Sequence, residues 1–467
     1  MARRLTAAAL SLLSLLALTS CTGRDTPPEQ PQGAADPPRI VVASGQDVTG
    51  KNGIRQQLID AWNAREGEGG YRARLVELPG SADQQRSQLL GALQSGSAEY
   101  DVVNLDVTWI PEFAEAGLVR PLTGAAVKAP GDIIEAVDRT SFWDGKRYAV
   151  PFNSDVGLLY YRKDHLREAG ASQTEPGRAA TWADLRDLID AVNLDSTKPE
   201  NYKAGWTTQL AAYEGRTVNA IEAFASAVPD FALTDGDGRY TADEAQLTAG
   251  VTELRERTQS PTYLLDEASG SREAESLSAF AEGRTTFLRH WPYVYPALYE
   301  TFKEELGVAR LPGKAVLGGQ NLAVTSNTSE QRAAKAAELI AFLTDPDSER
   351  CLLRAGFAAT RTSAYQNPGG TPECRHASVY STGPSASPTG ESAEVRAPDG
   401  LAGGVSYSRD ILLPSLSEAV QRPRTPLYGA VTQTLITELG ALYRSRPPRD
   451  AEVAKNLDEA LREVLPG

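Results

Sequence analysis

The sequence predicts an α/β protein of two domains, and two observations support this prediction. Segments of strand character, such as RIVVAS (39–44) and YRARLVEL (71–78), alternate with helical stripes, and repeated βα units imply largely parallel sheets with helices on both faces. At 467 residues, the chain is also too long for one ordinary hydrophobic core. We therefore expect an α/β fold with more than one core.

The elements can be read in order along the chain. A stripe of Ile54, Leu58 and Trp62 predicts the first helix, and YDVVNLD (100–106) is a compact buried strand that ends in an acid. Ligands gather beyond the carboxyl ends of strands in such sheets, so Asp106 and Trp109 are candidates for a site. Further strands are predicted at 202–210, 285–291, 306–312 and 318–326, and helices near 242–258, 271–282, 427–443 and 450–464.

Composition and charge exclude one class of function. The chain is 41% hydrophobic and 23% charged, which is typical of a soluble globular protein. Its formal net charge of −14 argues against a nucleic-acid partner, because such a protein needs a basic face.

The N-terminus is typical of an exported protein. Two arginines (3–4) precede an apolar segment (5–18) that is too short to span a membrane comfortably. It ends in LTSC, which resembles the lipobox of bacterial lipoproteins, although an ordinary secretory signal with a chance cysteine is the alternative. We expect a signal peptide (1–20), lipidation of Cys21 and a flexible tether (21–38), and hence a lipid anchor at the extracellular face of the bacterial cell membrane.

The two remaining cysteines, Cys351 and Cys374, are best explained as a disulfide in an exported protein. A zinc site or a reactive thiol is the alternative, but the three histidines have no ligand spacing. DGDGRYTADE (235–244) lacks the glycine and the glutamate of a calcium loop. No metal and no cofactor are expected.

No local sequence motif indicates an enzyme. The chain has no phosphate-binding P-loop, no Gly-x-Ser-x-Gly elbow and no His-Glu-x-x-His helix. A carboxylate pair for glycoside hydrolysis could still hide among the 61 acidic residues. We expect a protein that is not an enzyme.

One aromatic cluster needs an explanation. RHWPYVYPALY (289–299) contains a tryptophan and three tyrosines, although the whole chain is only 7% aromatic. A buried helix could use these rings, and so could a surface that stacks on a flat ligand.

Five segments together resemble a known family. They are DVVNLDVTWIPEFAEAGLVRPL, FWDGKRYAVPFNSDVGLLYYRKD, FAEGRTTFLRHWPYVYPAL, GGQNLAVTSNTSEQRAAKAAELIAFLTDPDSE and RPRTPLYGAVTQTL. In this order they resemble the extracellular solute-binding proteins of ABC importers, family 1, the maltose- and trehalose-binding type. The similarity runs from about residue 39 to the C-terminus, and the long loop at 366–404 departs from the family pattern.

The resemblance implies a two-lobed, type II periplasmic-binding-protein-like fold, with a ligand cleft between lobes joined by crossings. The expected crossings lie near Pro151–Asn153 and near Arg310–Gly313, with a further passage in the surface loop 366–404. The first lobe would comprise 39–150 and 314–365, and the second 153–307 and 405–467.

The resemblance also implies site residues. In the family, the tryptophan of this aromatic stretch lies at the mouth of the cleft, so Trp291 is the leading residue for stacking on a sugar, with a core role as the alternative. Asp106 is expected to accept from sugar hydroxyls or to cap a helix, and Asn153 and Asp155 to contact ligand or to form a hydrogen-bonded hinge. Weaker candidates for ligand contact are Tyr293, Trp109, Gln46, Glu214, Gly319, Gln320, Asn321, Arg361 and Arg422.

The expected function is that of a monomeric, non-catalytic receptor, which captures a di- or oligosaccharide and delivers it to an ABC permease. A second hypothesis keeps the scaffold but changes the ligand to a polyol, a glycerophosphodiester or another polar solute. A third is a secreted glycosidase, which would consume its ligand.

Overall fold

A computed structural model describes residues 38–46, 53–67, 69–96, 99–171, 176, 181–194, 198–258, 263–366 and 398–467. The predicted signal peptide, nearly all of the predicted tether and most of the predicted loop lie outside the described residues, together with Cys21 and Cys374.

The described residues form eleven strands. They are β1 (Arg39–Gly45), β2 (Arg72–Leu78), β3 (Val102–Asp106), β4 (Phe142–Trp143), β5 (Lys146–Arg147), β6 (Ala149–Val156), β7 (Leu158–Arg162), β8 (Ala204–Thr207), β9 (Thr285–His290), β10 (Leu306–Arg310) and β11 (Leu317–Val324).

Sixteen α-helices are found in the same residues. They are α1 (Ile54–Glu66), α2 (Ala82–Gln94), α3 (Ile110–Glu115), α4 (Glu135–Asp138), α5 (Lys163–Glu168), α6 (Trp182–Leu194), α7 (Glu214–Ala227), α8 (Glu244–Arg257), α9 (Glu273–Ala281), α10 (Tyr295–Phe302), α11 (Glu330–Leu343), α12 (Pro346–Arg354), α13 (Thr362–Gln366), α14 (Leu413–Ser417), α15 (Tyr428–Leu439) and α16 (Asp450–Val464). None of the helices in the described part of the chain combines the length and the apolar character that crossing a bilayer requires.

Two sheets organise two lobes, and the two-lobed α/β fold class is confirmed. The first sheet has the order β2-β1-β3-β11-β6, and the second has the order β10-β7-β9-β8. In the first sheet β1, β2 and β3 run parallel, as their βα connections require.

Strand direction elsewhere differs from the expected mostly parallel pattern. In the first sheet, β11 is antiparallel to both β3 and β6. In the second sheet, β7 is antiparallel to β9 and β10, and the parallel pair is β8 with β9. The crossings explain this, because β6 leads out of the first lobe while β11 returns to it, and such a pair must run in opposite directions.

The first crossing lies later than the sequence indicated. Pro151 and Asn153 pair with β11 inside the first sheet, and β6 continues there to Val156. The next strand, β7, starts at Leu158 in the second sheet, so the chain passes between the sheets at Gly157. The return follows β10 and reaches β11 at Leu317.

The C-terminal helices complete the second lobe. The buried residues of α16 are Val453, Ala454, Leu457 and Leu461, which is a helical stripe. They belong to one apolar cluster with side chains of α7, α8 and α15. The expected helix at 450–464 therefore forms with the bounds that its periodicity indicated.

The stripe of α16 gives a prediction for stability. Leu457 is fully buried, so Leu457→Ala should lower the free energy of unfolding by about 2–5 kcal/mol, because a buried leucine loses its contacts and leaves a cavity. Leu194 at the end of α6 is 85% exposed, and Leu194→Ala should change it by less than about 0.5 kcal/mol. Urea unfolding followed by tryptophan fluorescence measures both, and equal losses in the two variants would contradict the packing assigned to α16.

Candidate functional site between the lobes

A row of polar side chains crosses the first sheet where β3 ends. Asp106 of β3 pairs in register with Gln320 of β11, and Gln320 pairs with Asn153 of β6. Residues directly opposite each other in a sheet share a face, so these three side chains are neighbours. Asn104, two residues before Asp106, donates from Nδ2 to Gln320 Oε1 at 2.9 Å. We call Asp106, Gln320 and Asn153 the polar row.

Arg55 supports the polar row, and the sequence analysis missed it. It is 5% exposed, and its Nη2 donates to Gln320 Oε1 at 2.7 Å and to Asn153 Oδ1 at 3.1 Å. Its Nη1 donates to Ser44 Oγ and to Gly45 O, both at 3.0 Å. The sequence contained one signal for this role, because Arg55 lies in the first turn of a predicted helix. A cation there is close to the positive end of the helix dipole, so it needs hydrogen-bond acceptors from other parts of the chain.

Arg422 joins the polar row to the second lobe. Its Nη2 donates to Asp106 Oδ1 at 2.9 Å and its Nη1 to Glu214 Oε1 at 2.7 Å, at the start of α7. Glu214 also accepts from the Tyr428 hydroxyl and, at 2.8 Å, from Thr432 Oγ1. Burial opposes the charge of Arg422, but the carboxylates outweigh it and raise the pKa of Arg422. Arg422 therefore lies 4% exposed as a permanent cation between the lobes.

The lobes also meet near the start of α7. Burial raises the pKa of the Asp83 carboxyl, which belongs to α2 of the first lobe, and the nearby backbone of Glu214 opposes that shift. The two sides of the site are therefore in contact in this structure.

Trp291 follows β9, and its indole makes a cation–π contact with an arginine. The Arg289 guanidinium lies 4.0 Å from the centre of the Trp291 ring. Arg289 is itself 1% exposed and paired with Glu222, with 2.6 Å from Nη2 to Oε1 and 3.1 Å from Nε to Oε2. A cation over an indole is favourable, and more so when both are shielded from water. The ring is half-buried.

The backbone of Trp291 is fixed by a neutral histidine. Burial lowers the pKa of His290 to about 3, so the imidazole carries no charge. Its Nδ1 accepts from the Trp291 N–H at 2.9 Å, and its Nε2 lies 3.2 Å from Glu273 O. The Tyr160 hydroxyl donates to Trp291 O at 3.1 Å. Both backbone groups of Trp291 are thereby tied to the second sheet.

Two glycines allow the lobes to approach each other here. A Cβ at Gly157, the first crossing, would lie 2.5 Å from Glu222 Oε1 and 2.9 Å from Arg289 Nη2. A Cβ at Gly318 would lie 3.1 Å from Asp155 Cβ and 3.4 Å from Trp291 Cζ3. The benzo edge of the indole therefore lies against the first sheet beside Asp155.

Asp155 is an ionisable group in an unfavourable position. It pairs in register with Gly318, and its buried Oδ1 finds no hydrogen-bond partner among the residues that the structure describes. Burial raises the pKa of Asp155 to about 7, with Asp106 adding to the shift, while Arg55, Arg289 and Arg422 oppose it. Near neutral pH the Asp155 carboxyl can therefore either donate or accept a hydrogen bond.

The structure thus brings together Asp106, Gln320, Asn153, Asp155 and Trp291, with Arg422 and Glu214 at one side. Tyr293 is partly buried and makes an edge-on contact with His290, 5.4 Å between ring centres. Gly319 has a φ of 120°, and its carbonyl accepts from Val107 N at 3.1 Å.

Other predicted residues do not join this group. Trp109 is 5% exposed in the core of the first lobe, where it stacks on Phe113. Asn321, next to Gln320 on the strand, is fully buried and donates to Thr140 Oγ1 at 2.9 Å. Arg361 is buried and donates from Nε to Thr344 O at 2.6 Å. Gln46 is exposed at the end of β1. Ligand contact by these four residues stays a prediction.

Cys351 is buried and disulfide-bonded. Its predicted partner, Cys374, lies outside the described residues, so the pairing stays a prediction. Across the described ranges, His, Cys, Asp and Glu side chains form no group of three or more that could hold a metal ion.

Comparisons with known proteins agree with this architecture. The family described as bacterial extracellular solute-binding protein matches residues 57–373. A probable ABC transporter-binding protein of Deinococcus radiodurans is 26% identical over 320 residues, which cover 66% of this chain and 73% of the relative. The sn-glycerol-3-phosphate-binding periplasmic protein UgpB of Escherichia coli K12 is 23% identical over 245 residues, 48% of this chain and 54% of that protein.

Solved structures show the same fold. Maltose-bound T. maritima MalE3 superposes with a TM-score of 0.72 at 21% identity, over 91% of this chain and all of that chain. UgpB of Mycobacterium tuberculosis in complex with glycerophosphocholine superposes with a TM-score of 0.68 at 19% identity, over 92% of this chain and 98% of that chain.

The raised pKa of Asp155 predicts a pH-dependent stability. Its unfolded pKa is about 3.9, so the folded state binds the proton more tightly, and this contribution to stability is lost as pH rises from about 4 through about 7. Asp155→Asn removes the titration. The stability of the variant relative to the unmodified protein should therefore increase between pH 4.5 and pH 8, measured by urea unfolding at each pH. A difference that is constant over this range would show that Asp155 ionises normally.

Proposed function

The chain belongs to the bacterial extracellular solute-binding proteins, and from this premise we propose that it captures a di- or short oligosaccharide between its lobes. As a member of this family, it is the solute-binding protein of an ABC importer and acts on the outer side of the cell membrane. Members are transport receptors rather than enzymes. The identity of the solute is the proposal.

The observation that carries the proposal is the position of the Trp291 ring beside Gly318, which lies two residues before Gln320 of the polar row on the same strand. A pyranose has apolar C–H faces and hydroxyl edges, so it needs an aromatic surface together with hydrogen-bonding groups. The half-buried indole supplies the first, and Asp106, Gln320 and Asn153 supply acceptors and donors. The benzo edge of Trp291 reaches Asp155 and Gly318, so both kinds of contact are available to one ligand.

The magnitudes are sufficient for micromolar binding. Hydrogen bonds that involve charged groups contribute about 1.5–3 kcal/mol each, and a stacked ring adds roughly 0.5–1.5 kcal/mol. Binding of about −8 kcal/mol, which is micromolar, therefore needs only a few such contacts.

The charges of the site favour a neutral ligand. Arg289 is paired with Glu222, and Arg422 with Asp106 and Glu214, so these cations are already compensated. A phosphate could form an ion pair with either arginine only by displacing a carboxylate that is already bound to it. A neutral polyhydroxyl compound does not have to displace them.

A glycerophosphodiester is the second candidate, because UgpB is among the relatives and neighbours. Arg55, which reaches both Asn153 and Gln320, is the residue that would serve such an anion. The two candidates are separated by one ligand panel of maltose, trehalose, ribitol and glycerophosphocholine. A check for chemical change of every ligand that binds tests the glycosidase alternative.

Binding would proceed by closure of the lobes. A ligand that contacts the polar row of the first lobe and Trp291 of the second stabilises the state in which the two are close. Arg422 lies on the same path, because it reaches Asp106 and Glu214 at once. The membrane subunits of the importer would then recognise the closed form.

Trp291→Ala should weaken binding of the best sugar in the panel by about two- to tenfold, because stacking of the ring on the sugar face is lost. Isothermal titration calorimetry measures the dissociation constant. Tyr299→Ala is the matched control from the same aromatic stretch, since its hydroxyl donates to Glu304 at 2.8 Å, away from the polar row. Full-strength sugar binding by Trp291→Ala would rule out the stacking role. If the protein bound glycerophosphocholine tightly and no sugar of the panel, its ligand would be a glycerophosphodiester and not a carbohydrate.

We further infer that Cys21 carries the lipid that tethers the receptor, since the preceding residues resemble a lipobox. More than one acyl chain gives stable anchoring, whereas a single chain gives marginal binding. Cys21→Ser should therefore move most of the protein from the membrane fraction to the medium when bacterial cells are fractionated. Unchanged membrane association of Cys21→Ser would contradict the anchor.

A further inference from the structure

A second cavity lies behind the crossings, away from the polar row. Two adjoining cavities of about 310 and 590 Å³ share the residues Ser226, Arg310, Leu311, Gly313 and Glu418. We call the pair the hinge-side cavity. Its wall includes the segment after β10 through which the chain returns from the second sheet to the first.

Two buried donors face the larger cavity without an acceptor. Arg257 at the end of α8 is 4% exposed, and Trp182 at the start of α6 is 8% exposed. Arg257 Nη2 and Trp182 Nε1 are both buried and have no hydrogen-bond partner in the described part of the chain. A buried donor without an acceptor is destabilising, so each is a position where an acceptor would be stabilising.

The two donors are held in fixed positions. The Arg257 guanidinium lies 4.5 Å from the centre of the Trp182 ring, and its Nε donates to Glu253 Oε1 at 2.7 Å. The Arg257 carbonyl accepts from Trp206 Nε1 at 2.9 Å, and the Trp182 and Trp206 ring centres are 5.0 Å apart. Arg257 Nη2 would lie 3.5 Å from a Cβ at Gly313, so it points towards the returning segment.

The wall carries more cationic side chains than acidic ones; the cations are Arg186, Arg257, Arg310 and Lys314, and the acids are Glu253 and Glu418. The three arginines each have a carboxylate partner, Glu256, Glu253 and Glu418 respectively. The feature that favours an anion is therefore the Nη2 of Arg257, which has no acceptor in the described part of the chain. Burial lowers the pKa of Arg257, and the carboxylate of Glu253 opposes that effect. An additional negative charge would stabilise the same guanidinium.

The remaining wall is apolar. Ala225, Pro229, Leu311 and Ala315 line the smaller cavity, next to the cationic side chains. Apolar walls with a few convergent polar groups are typical of small-molecule sites. This combination fits an anion with a short carbon chain better than it fits an inorganic ion.

We propose that the hinge-side cavity binds a small organic carboxylate, whose oxygens accept hydrogen bonds from Arg257 Nη2 and Trp182 Nε1 and whose carbon chain lies against Leu311 and Ala315. This site is separate from the carbohydrate site, and its occupant is a different class of compound. Because its wall includes the returning segment, the occupant would contact the part of the chain that joins the lobes.

Sodium butyrate is the probe, and its neutral isostere butyramide is the matched control. The ¹H–¹⁵N spectrum of the six tryptophan indoles reports on Trp182 directly, with its signal assigned by its loss in Trp182→Phe. Butyrate should move this signal saturably at constant ionic strength, whereas butyramide and sodium chloride should not. Arg257→Lys should weaken the apparent affinity by at least tenfold, because the planar guanidinium is lost. Arg239→Gln, on an exposed side chain outside the cavity, should leave it unchanged.

If Arg257→Lys does not fold, thermal stabilisation by butyrate provides the second readout, since a ligand of the folded state raises stability with its concentration. This stabilisation should be lost in Trp182→Phe, which keeps an aromatic side chain but removes the N–H donor, and retained in Trp291→Ala, which alters the carbohydrate site. A response to butyramide equal to that to butyrate, or one unchanged by both cavity variants, would overturn the proposal.

Discussion

The ion pair between Glu222 and Arg289 is the interaction on which the region between the lobes depends. Glu222 Oε1 accepts from Arg289 Nη2 at 2.6 Å and from Val316 N at 3.2 Å, on the segment that returns to the first sheet. Gly157, where the chain first crosses, packs against the same two side chains. Both crossings therefore contact one buried carboxylate, that of Glu222. The Arg289 guanidinium, which is paired with it, lies over the indole of Trp291. A buried ion pair contributes little net stability because desolvation is costly, but removal of one partner leaves a buried charge. The Glu222–Arg289 pair therefore serves mainly to fix the positions of the two crossings and of Trp291.

The same ion pairs make the many charges of the site compatible with the neutral ligand that we propose. Arg422 is paired with Asp106 and Glu214, and Arg289 with Glu222, so the charge of each cation is compensated by the protein itself. Arg55 instead contacts neutral oxygens of Ser44, Asn153 and Gln320. These arginines orient amides, carboxylates and a ring towards one another. The chemistry left for a ligand is that of the oriented groups, which suits hydroxyls and an apolar sugar face.

Much of the fold was predictable because its signals are local. The sequence predicted α16 near 450–464, and the apolar run before Asp106 predicted β3. Thr181 and Asp184 form a reciprocal cap before α6, with Thr181 N donating to Asp184 Oδ2 and Asp184 N to Thr181 Oγ1, and this signal is local as well. The antiparallel strands were not foreseen, because strand direction depends on where the chain leaves a lobe and returns, and no short segment records that.

The periodicity of the sequence determined the α/β class. Its ordered motifs, through their resemblance to a known family, indicated the two lobes, the family and the candidates Asp106, Asn153, Asp155, Gln320 and Trp291. Only the tertiary structure decided that Arg55 supports Gln320, 265 positions away in the chain, and that Arg422 joins Asp106 to Glu214. It also put Asn321 on the buried side, although Gln320 lies next to it, because alternate residues of a strand face opposite sides. Contacts between residues far apart in sequence arise from the packing of whole elements, and neither periodicity nor composition encodes which partners will meet.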